Sequence, residues 1–218
     1  PSENTHLQFT GIDVKGRKQY RYHKEWNRIR NQAKFYRLRR FAEALPLIRR
    51  KVDEDLKIKE LKFEKVLALV VKLIELTNIR IGNETYSKLY GSFGLTTLKD
   101  KHVKFTGSKV NFAFKGKKGV YHDISIESRT LKNLVKKCQE IPGKELFQYY
   151  DDNGNHYCVE SGDVNNYLKQ ITGEDFTAKD FRTWAGSVQA LCALRQMGVF
   201  DKESDCKKNI IAAIDDVA

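Results

Sequence analysis

The spacing of apolar residues along the chain predicts several helices and one stretch of strand. From residue 60 to residue 78 the apolar positions recur every three or four residues, which predicts a buried helix. A second, shorter helical pattern follows residues 79–83 and carries Tyr86 and Leu89. Arg80 thus stands at a break between two core elements, where an unpaired guanidinium is costly to desolvate.

Between residues 102 and 126 the apolar period changes to two, which predicts a small antiparallel sheet. The alternating positions are Val103, Phe105, Val110, Phe112, Phe114, Val120, His122, Ile124 and Ile126. The last hairpin of this sheet turns at residues 116–119, where Gly116 and Gly119 allow positive φ. The turn is therefore expected to present Lys117 and Lys118 at an exposed tip.

The second half of the chain has helical patterns on both sides of a hydrophilic turn. They start after Ser128 and after Gly162, and residues 151–155 form the turn between them. Ser204 is predicted to cap a last helix, whose apolar positions are Ile210, Ile211, Ile214 and Val217. Together with the sheet, these patterns predict an α+β fold that is mainly α-helical and has one small antiparallel sheet.

A further helix is predicted to start at Thr177. Thr177 and Asp180 resemble a capping box, with Asp in place of the usual Glu. The predicted helix carries Phe181, Trp184, Ala185, Val188 and Cys192 on one face. Arg182 is placed in its first turn, where backbone N–H groups and the helix dipole favour an anion.

Charge narrows the class of partner. The chain has a formal net charge of +12 and a sequence pI of about 9.4, which indicates a polyanionic partner. Residues 16–51 are dense in Lys and Arg with interleaved aromatics, a pattern that suits contact with a nucleic-acid backbone. The alternatives are a basic or ribosome-associated protein and, for this segment, a solvated helix face with aromatics in the core.

Several other classes of protein lack support in the sequence. The four cysteines show neither CxxC pairing nor zinc-finger spacing, so free thiols are expected. The sequence shows no transmembrane run and no signal-peptide pattern. It also shows no convincing metal constellation, phosphate-binding loop, dinucleotide turn or catalytic serine triad. We therefore expect neither a metal nor a small-molecule cofactor, and no association with a membrane.

The candidate chemistry lies in three cations. Arg80 at an element junction, Lys117 on a hairpin tip and Arg182 at a helix start can converge on one phosphate. Each also has a simpler interpretation. Arg80 can bind helix carbonyls, Lys117 can be an ordinary turn lysine, and Arg182 can pair with Asp180 or another carboxylate.

Four motifs make the sequence resemble type IB DNA topoisomerases, especially the bacterial and poxvirus-like kind. RIGNETY at 80–86, followed by SFGLTTL at 92–98, resembles the first-arginine region of that family. FKGKK at 114–118 resembles its hairpin with the general-acid lysine, and DFRTW at 180–184 its second-arginine motif. GRKQY at 16–20 resembles the passage from the small N-terminal lobe to the catalytic domain.

The resemblance implies a catalytic fold shared with tyrosine recombinases and a reaction without ATP or metal. A tyrosine attacks the scissile phosphodiester, and the released 5′-hydroxyl strand rotates before religation. Arg80 and Arg182 are implied to neutralise the nonbridging oxygens, and Lys117 to protonate the leaving 5′ oxygen. Lys118 stands where relatives often have an acidic residue, so either lysine of the turn is open as the acid.

The resemblance also implies how the chain meets DNA. Gln19, Tyr20, Tyr86 and Lys179 are expected to contact double-stranded DNA, held by a monomeric clamp. Residues 1–24 are expected to end the small N-terminal lobe, and residues 25–218 to form the catalytic domain. We expect a bacterial cytoplasmic protein associated with the nucleoid, or a viral one.

The sequence departs from the family pattern at its end. All ten tyrosines precede Arg182, whereas the family places its nucleophile, and a phosphate-contacting His or Asn, after the last helix. The nucleophile is therefore expected after Ala218, and this chain is expected to bind DNA without cleaving it. A tyrosine recombinase and a non-enzymatic DNA-binding module stay open as alternatives.

Overall fold

A computed structural model describes residues 5–14, 16 and 18–217 of the chain. These residues group into two compact units, 1–43 and 44–218. Arg17, part of the first quoted motif, lies outside the described residues. The predicted division after residue 24 stays a prediction.

The first unit combines a two-stranded sheet with the start of a long helix. Strand β1 (Leu7–Ile12) pairs antiparallel with β2 (Lys18–Tyr22), and helix α1 (Lys24–Asp55) begins here and ends in the second unit. The interleaved cations and aromatics of the sequence contact each other. The Lys18 ammonium lies 5.6 Å from the ring centroid of Tyr20, and the Arg30 guanidinium lies 5.4 Å from that of Tyr22.

The core of the second unit is built around helix α2 (Phe63–Thr77), as the apolar period predicts. Three further helices contact it: α4 (Arg129–Gln139), α5 (Ser161–Thr172) and α6 (Ala178–Gln196). The helix ends at Thr77 and is capped by Asn78, which adopts the left-handed conformation (φ 54°) and donates its backbone N–H to the Ile74 carbonyl at 2.9 Å. The chain can thus leave the core immediately before Arg80.

The predicted antiparallel sheet is present. Its strands are β3 (Val103–Thr106), β4 (Lys109–Lys115) and β5 (Tyr121–Glu127), in the order β3-β4-β5. Val110, Phe112 and Phe114 of β4 are all buried, because alternate side chains of the central strand face the core. This strand therefore anchors the hairpin that carries Lys117.

The hydrophilic turn at residues 151–155 joins two short strands. Strands β6 (Gln148–Tyr150) and β7 (His156–Cys158) pair antiparallel on either side of it. The Asp151 carboxylate closes the turn by accepting hydrogen bonds from the backbone N–H groups of Asn153 at 3.0 Å and Asn155 at 2.8 Å. The turn was predicted, but strands of three residues are too short to show a period of two.

The predicted start of the last helix is wrong by a small margin. Helix α7 spans Glu203–Val217, so Ser204 lies inside its first turn and does not cap it. Its apolar face is also less buried than the pattern suggests: Ala213 is buried, whereas Ile211 and Ile214 are 60% and 58% exposed. The fold class is as predicted, mainly helical with small antiparallel sheets.

Two expectations about side chains and segments can be compared with the structure. All four cysteines are free, and Cys138 is buried, which raises its pKa to about 12. No helix in the described part of the chain is long and apolar enough to cross a membrane.

Candidate functional site

Arg80 is held by its backbone. It lies in an extended segment between α2 and helix α3 (Glu84–Tyr90), and its side chain is exposed. Its carbonyl accepts a hydrogen bond from the Leu95 N–H at 2.9 Å, and the neighbouring Ile81 carbonyl accepts one from the Thr96 N–H at 2.7 Å. The guanidinium is thus carried on a fixed segment although it lies outside regular secondary structure.

Gly94 allows the close approach that fixes Arg80. A Cβ at this position would lie 2.4 Å from the Arg80 carbonyl oxygen and 2.5 Å from the Gly82 nitrogen. The Thr97 hydroxyl closes the short turn by accepting from the Gly94 N–H at 3.0 Å. Only glycine therefore fits here without displacing the Arg80 segment.

The same segment is joined to the lysine hairpin. Phe93 donates its N–H to the carbonyl of Lys115, the last residue of β4, at 2.8 Å. The turn that follows exposes Lys117 and Lys118, as predicted, but its backbone differs from the prediction. Positive φ falls on Lys118 (63°) and Gly119 (81°), not on Gly116, whose φ is −95°.

Gly116 is required for a different reason, which is the ring of His122. A Cβ on Gly116 would lie 2.5 Å from both Cδ2 and Nε2 of that imidazole. His122 pairs with Phe114 across the two strands, and their rings stack with centroids 5.1 Å apart and an interplanar angle of 27°. The imidazole thus lies against the base of the lysine turn. The sequence showed His122 only as one alternating position of a strand, an unusual place for a polar ring.

Arg182 lies close enough to Arg80 to be affected by its positive charge. It is the fifth residue of α6, just beyond the first turn in which it was predicted, and its side chain is half-buried. Burial lowers its pKa, and the positive charge of Arg80 lowers it further. Burial and the charges of the same two arginines also lower the pKa of His122. The structure therefore brings Arg80, Arg182 and His122 into one region, beside the turn that carries Lys117.

None of the three predicted cations is neutralised by a residue that the structure describes. The side chains of Arg80, Lys117 and Arg182 make no hydrogen bond or ion pair with any described residue. The Asp180 carboxylate instead accepts from the Thr177 N–H at 2.8 Å and hydroxyl at 3.0 Å, the predicted capping interaction. Among the described residues, Arg80 thus donates to no helix carbonyl, and Arg182 pairs with neither Asp180 nor another carboxylate.

The four residues expected to contact DNA are exposed on several elements. Tyr20 and Tyr86 are 52% and 57% exposed, and Lys179 is exposed in the first turn of α6. The Gln19 amide donates to the Asp13 carboxylate at 2.9 Å within the first unit. Their exposure makes them accessible to a large ligand, and their role stays a prediction.

Metal-ligating side chains do not form a comparable cluster. Within residues 5–14, 16 and 18–217, no group of three His, Cys, Asp or Glu side chains is placed to hold a metal ion. The chemistry available at this site is thus that of cations and one imidazole. Two guanidinium groups without a carboxylate partner among the described residues are the kind of arrangement that suits an anion such as a phosphate.

Comparison with known proteins identifies the family. Residues 19–218 match the sequence model of the eukaryotic DNA topoisomerase I catalytic core. The DNA topoisomerase 1B of Acanthamoeba polyphaga mimivirus is 31% identical over 222 residues, which cover 99% of this chain and 66% of that protein. The chain therefore belongs to the type IB DNA topoisomerase family.

A second viral relative is also named as a DNA topoisomerase. The DNA topoisomerase I of monkeypox virus is 28% identical over 79% of this chain and 56% of its own length. The chain thus spans about two thirds or less of these viral relatives. Among solved structures, the XerH site-specific recombinase bound to palindromic difH substrate has 16% identity and a TM-score of 0.45, covering 71% of this chain and 43% of that chain.

Proposed function

We propose that this chain supplies the DNA-gripping and phosphate-stabilising part of a type IB topoisomerase that relaxes supercoiled DNA. The observation that carries the proposal is the pair Arg80 and Arg182: the charge of Arg80 lowers the pKa of the half-buried Arg182, and neither side chain has a carboxylate partner among the described residues. The two like charges repel each other, and an anion bound from outside would relieve that repulsion. A DNA phosphate is an anion of suitable geometry for two guanidinium forks.

The proposed chemistry needs neither ATP nor a metal. A tyrosine oxygen forms a bond to phosphorus while the bond to the 5′ oxygen breaks, and religation reverses both changes. Arg80 and Arg182 neutralise the nonbridging oxygens as charge builds in the transition state. Lys117 transfers a proton to the departing 5′ oxygen, since an alkoxide is a poor leaving group.

Double-stranded DNA is the proposed partner of both units. Gln19 and Tyr20 in the first unit, and Tyr86 and Lys179 in the second, would contact the duplex around the cleavage site. The net charge of +12 supports a phosphate-dominated interface, in which each neutralised phosphate releases counterions. We further propose that residues 1–24 end a small N-terminal lobe, that residues 25–218 belong to the catalytic domain, and that one copy clamps DNA.

The nucleophile is proposed to follow Ala218. Every tyrosine of this chain precedes Arg182, opposite to the order in the family pattern. On this proposal residues 1–218 alone bind DNA and leave it intact. Binding should weaken steeply as salt is raised, because bound phosphates exchange with counterions.

Plasmid relaxation by the full-length protein tests the function. We expect relaxation of supercoiled DNA in EDTA and without ATP, with a covalent protein link at the 3′ side of the break. Strand exchange between specific sites without relaxation would instead identify a recombinase. Absence of any covalent link would leave a DNA-binding module and contradict the enzymatic proposal.

A further inference from the structure

His122 is a half-buried imidazole at the site to which the proposed mechanism gives no task. Its ring stacks on the Phe114 ring, with centroids 5.1 Å apart, and it also lies close to Gly116. Gly116 is the residue before Lys117, and its N–H donates to the Val120 carbonyl at 2.7 Å to close the turn. The imidazole therefore packs against Gly116, the first residue of the lysine turn.

The contact is tight enough to transmit a displacement. Since a Cβ on Gly116 would lie 2.5 Å from two ring atoms, no space separates the ring from the turn. The ring also stacks on that of Phe114, which is itself buried in the core. A stack of Phe114, His122 and Gly116 thus connects the core of the sheet to the position of Lys117.

We propose that His122 is a positioning residue. Its ring holds the Lys117 turn in the position from which the lysine reaches the 5′ oxygen of the scissile phosphate. This inference rests on the proposed function, because it assigns a support to the proposed acid. It does not give the imidazole a proton-transfer step of its own.

The charges around the ring agree with a packing role. Burial lowers the pKa of His122, and the charges of Arg80 on its segment and of Arg182 on α6 lower it further. The surroundings therefore favour the neutral ring over a third positive charge. A neutral flat ring should serve as well as the imidazole.

The test is single-turnover cleavage by the full-length protein on two DNA substrates. One has the natural 5′ oxygen at the scissile bond, and the other has a 5′-bridging sulfur, a better leaving group that does not need the lysine proton. We expect His122→Ala to slow cleavage of the oxygen substrate by about tenfold to a hundredfold, as a shift of about 1 Å can. On the sulfur substrate the defect should shrink to within about threefold, as it should for Lys117→Ala.

Three variants make the result specific. His122→Phe keeps a flat neutral ring and should retain most of the rate. Gly116→Ala has no φ penalty and pushes the turn away from the ring, so it should show the same defect, suppressed by sulfur. Removal of the ring gives the new methyl group room, so Gly116→Ala combined with His122→Ala should cleave faster than Gly116→Ala alone. Tyr121→Ala, on the same strand and 66% exposed, is the control.

The outcomes separate the inference from the proposed function. Equal slowing on both substrates would mean that His122 acts on the phosphate directly, and an unchanged rate would mean that the ring has no role, so either overturns the inference. If wild type does not cleave, or if Lys117→Ala cleaves at the normal rate, the proposed function fails first. Should His122→Ala not fold, by its thermal melting curve, Gly116→Ala decides alone.

Discussion

Two groups of cations in the second unit have opposite surroundings. Along α1 and α2, Arg49 contacts the Glu75 carboxylate at 2.6 Å and Lys72 contacts that of Asp53 at 3.2 Å. At the candidate site, Arg182 has no carboxylate partner among the described residues, and the charge of Arg80 adds to burial in lowering its pKa. The same residue type is thus neutralised in one region and left uncompensated in the other.

This difference distinguishes cations that can stabilise the fold from cations that serve the proposed function. Partly exposed ion pairs such as Arg49–Glu75 contribute about 0–1 kcal/mol to folding and need no external partner. Two mutually repelling guanidinium groups contribute nothing favourable to the folded chain by themselves. On the proposed function an anion binds between them, so the two groups should respond in opposite ways to removal.

Removal of the site arginines is expected to have the largest effect. Arg80→Ala or Arg182→Ala should slow DNA cleavage by the full-length protein by about 10²- to 10³-fold, because preorganised charge at the transition state is lost. Thermal stability should stay equal or rise, because repulsion is relieved. Arg49→Ala should do the reverse, with cleavage unchanged and a small loss of stability. Single-turnover cleavage and thermal melting measure the two effects, and equal cleavage by all three variants would remove the distinction.

The lysine turn extends the comparison to two adjacent residues. Lys117→Ala should slow cleavage by about 10²- to 10⁴-fold, the range for loss of a general acid. Lys118 has a φ of 63°, so its control is Lys118→Asn, which removes the charge and tolerates that conformation. Near-normal cleavage is expected of this control in the same assay. The opposite order of the two rates would make Lys118 the acid.

Substitution of Gly94 tests whether Arg80 must be held in place, because it moves the Arg80 segment without removing the charge. Gly94→Ala places a methyl group 2.4 Å from the Arg80 carbonyl oxygen, so the segment must shift. We expect cleavage to fall by about tenfold to a hundredfold and stability by about 1–3 kcal/mol. Gly162→Ala is the matched control, since nothing lies within 4 Å of its new Cβ. Cleavage rates and urea unfolding of both variants decide, and normal cleavage by Gly94→Ala would show that Arg80 needs no fixed backbone.

Much of the fold follows from local periodicity. The buried helix α2, the three-stranded sheet and the capped start of α6 each show enough residues for the apolar period or the capping pair to be recognised. Strands β6 and β7 do not, because three residues cannot establish a period. The burial of a predicted apolar face is also beyond local pattern, as the exposed isoleucines of α7 show.

The site divides in a similar way. Residue type and position predicted Arg80, Lys117 and Arg182 as candidates, and the motif resemblance arranged them in one mechanism. The approach of Gly94 to Arg80 and of His122 to Gly116 joins residues 14 and six positions apart, so it depends on how segments fold back. Such contacts have no periodic signal, and they were absent from the prediction for that reason.

The buried His102 gives the smallest expected effect. It tests, at a second place in the molecule, whether a positive charge without a compensating partner lowers stability. His102 is buried beside the Phe93 ring, and its Nδ1 accepts a hydrogen bond from the Lys99 N–H at 3.0 Å. Burial lowers its pKa, and the charges of Lys101 and Lys99 lower it further. The folded state therefore holds this proton less tightly than the unfolded state.

The sign of the pH dependence follows from that difference. Above the unfolded pKa, near 6.5, His102 is neutral in both states and its stabilising contact is fully present. As pH falls below this value the unfolded state gains the proton first, so stability declines. His102→Asn keeps an acceptor near the Lys99 N–H but cannot titrate. The variant should therefore lose less stability than wild type between pH 7.5 and pH 5.5, and the difference between the two losses should be below about 1 kcal/mol. Urea unfolding at the two pH values measures both losses of stability. Equal losses in wild type and His102→Asn would mean that a positive charge on His102 is compensated, unlike the charges of Arg80 and Arg182.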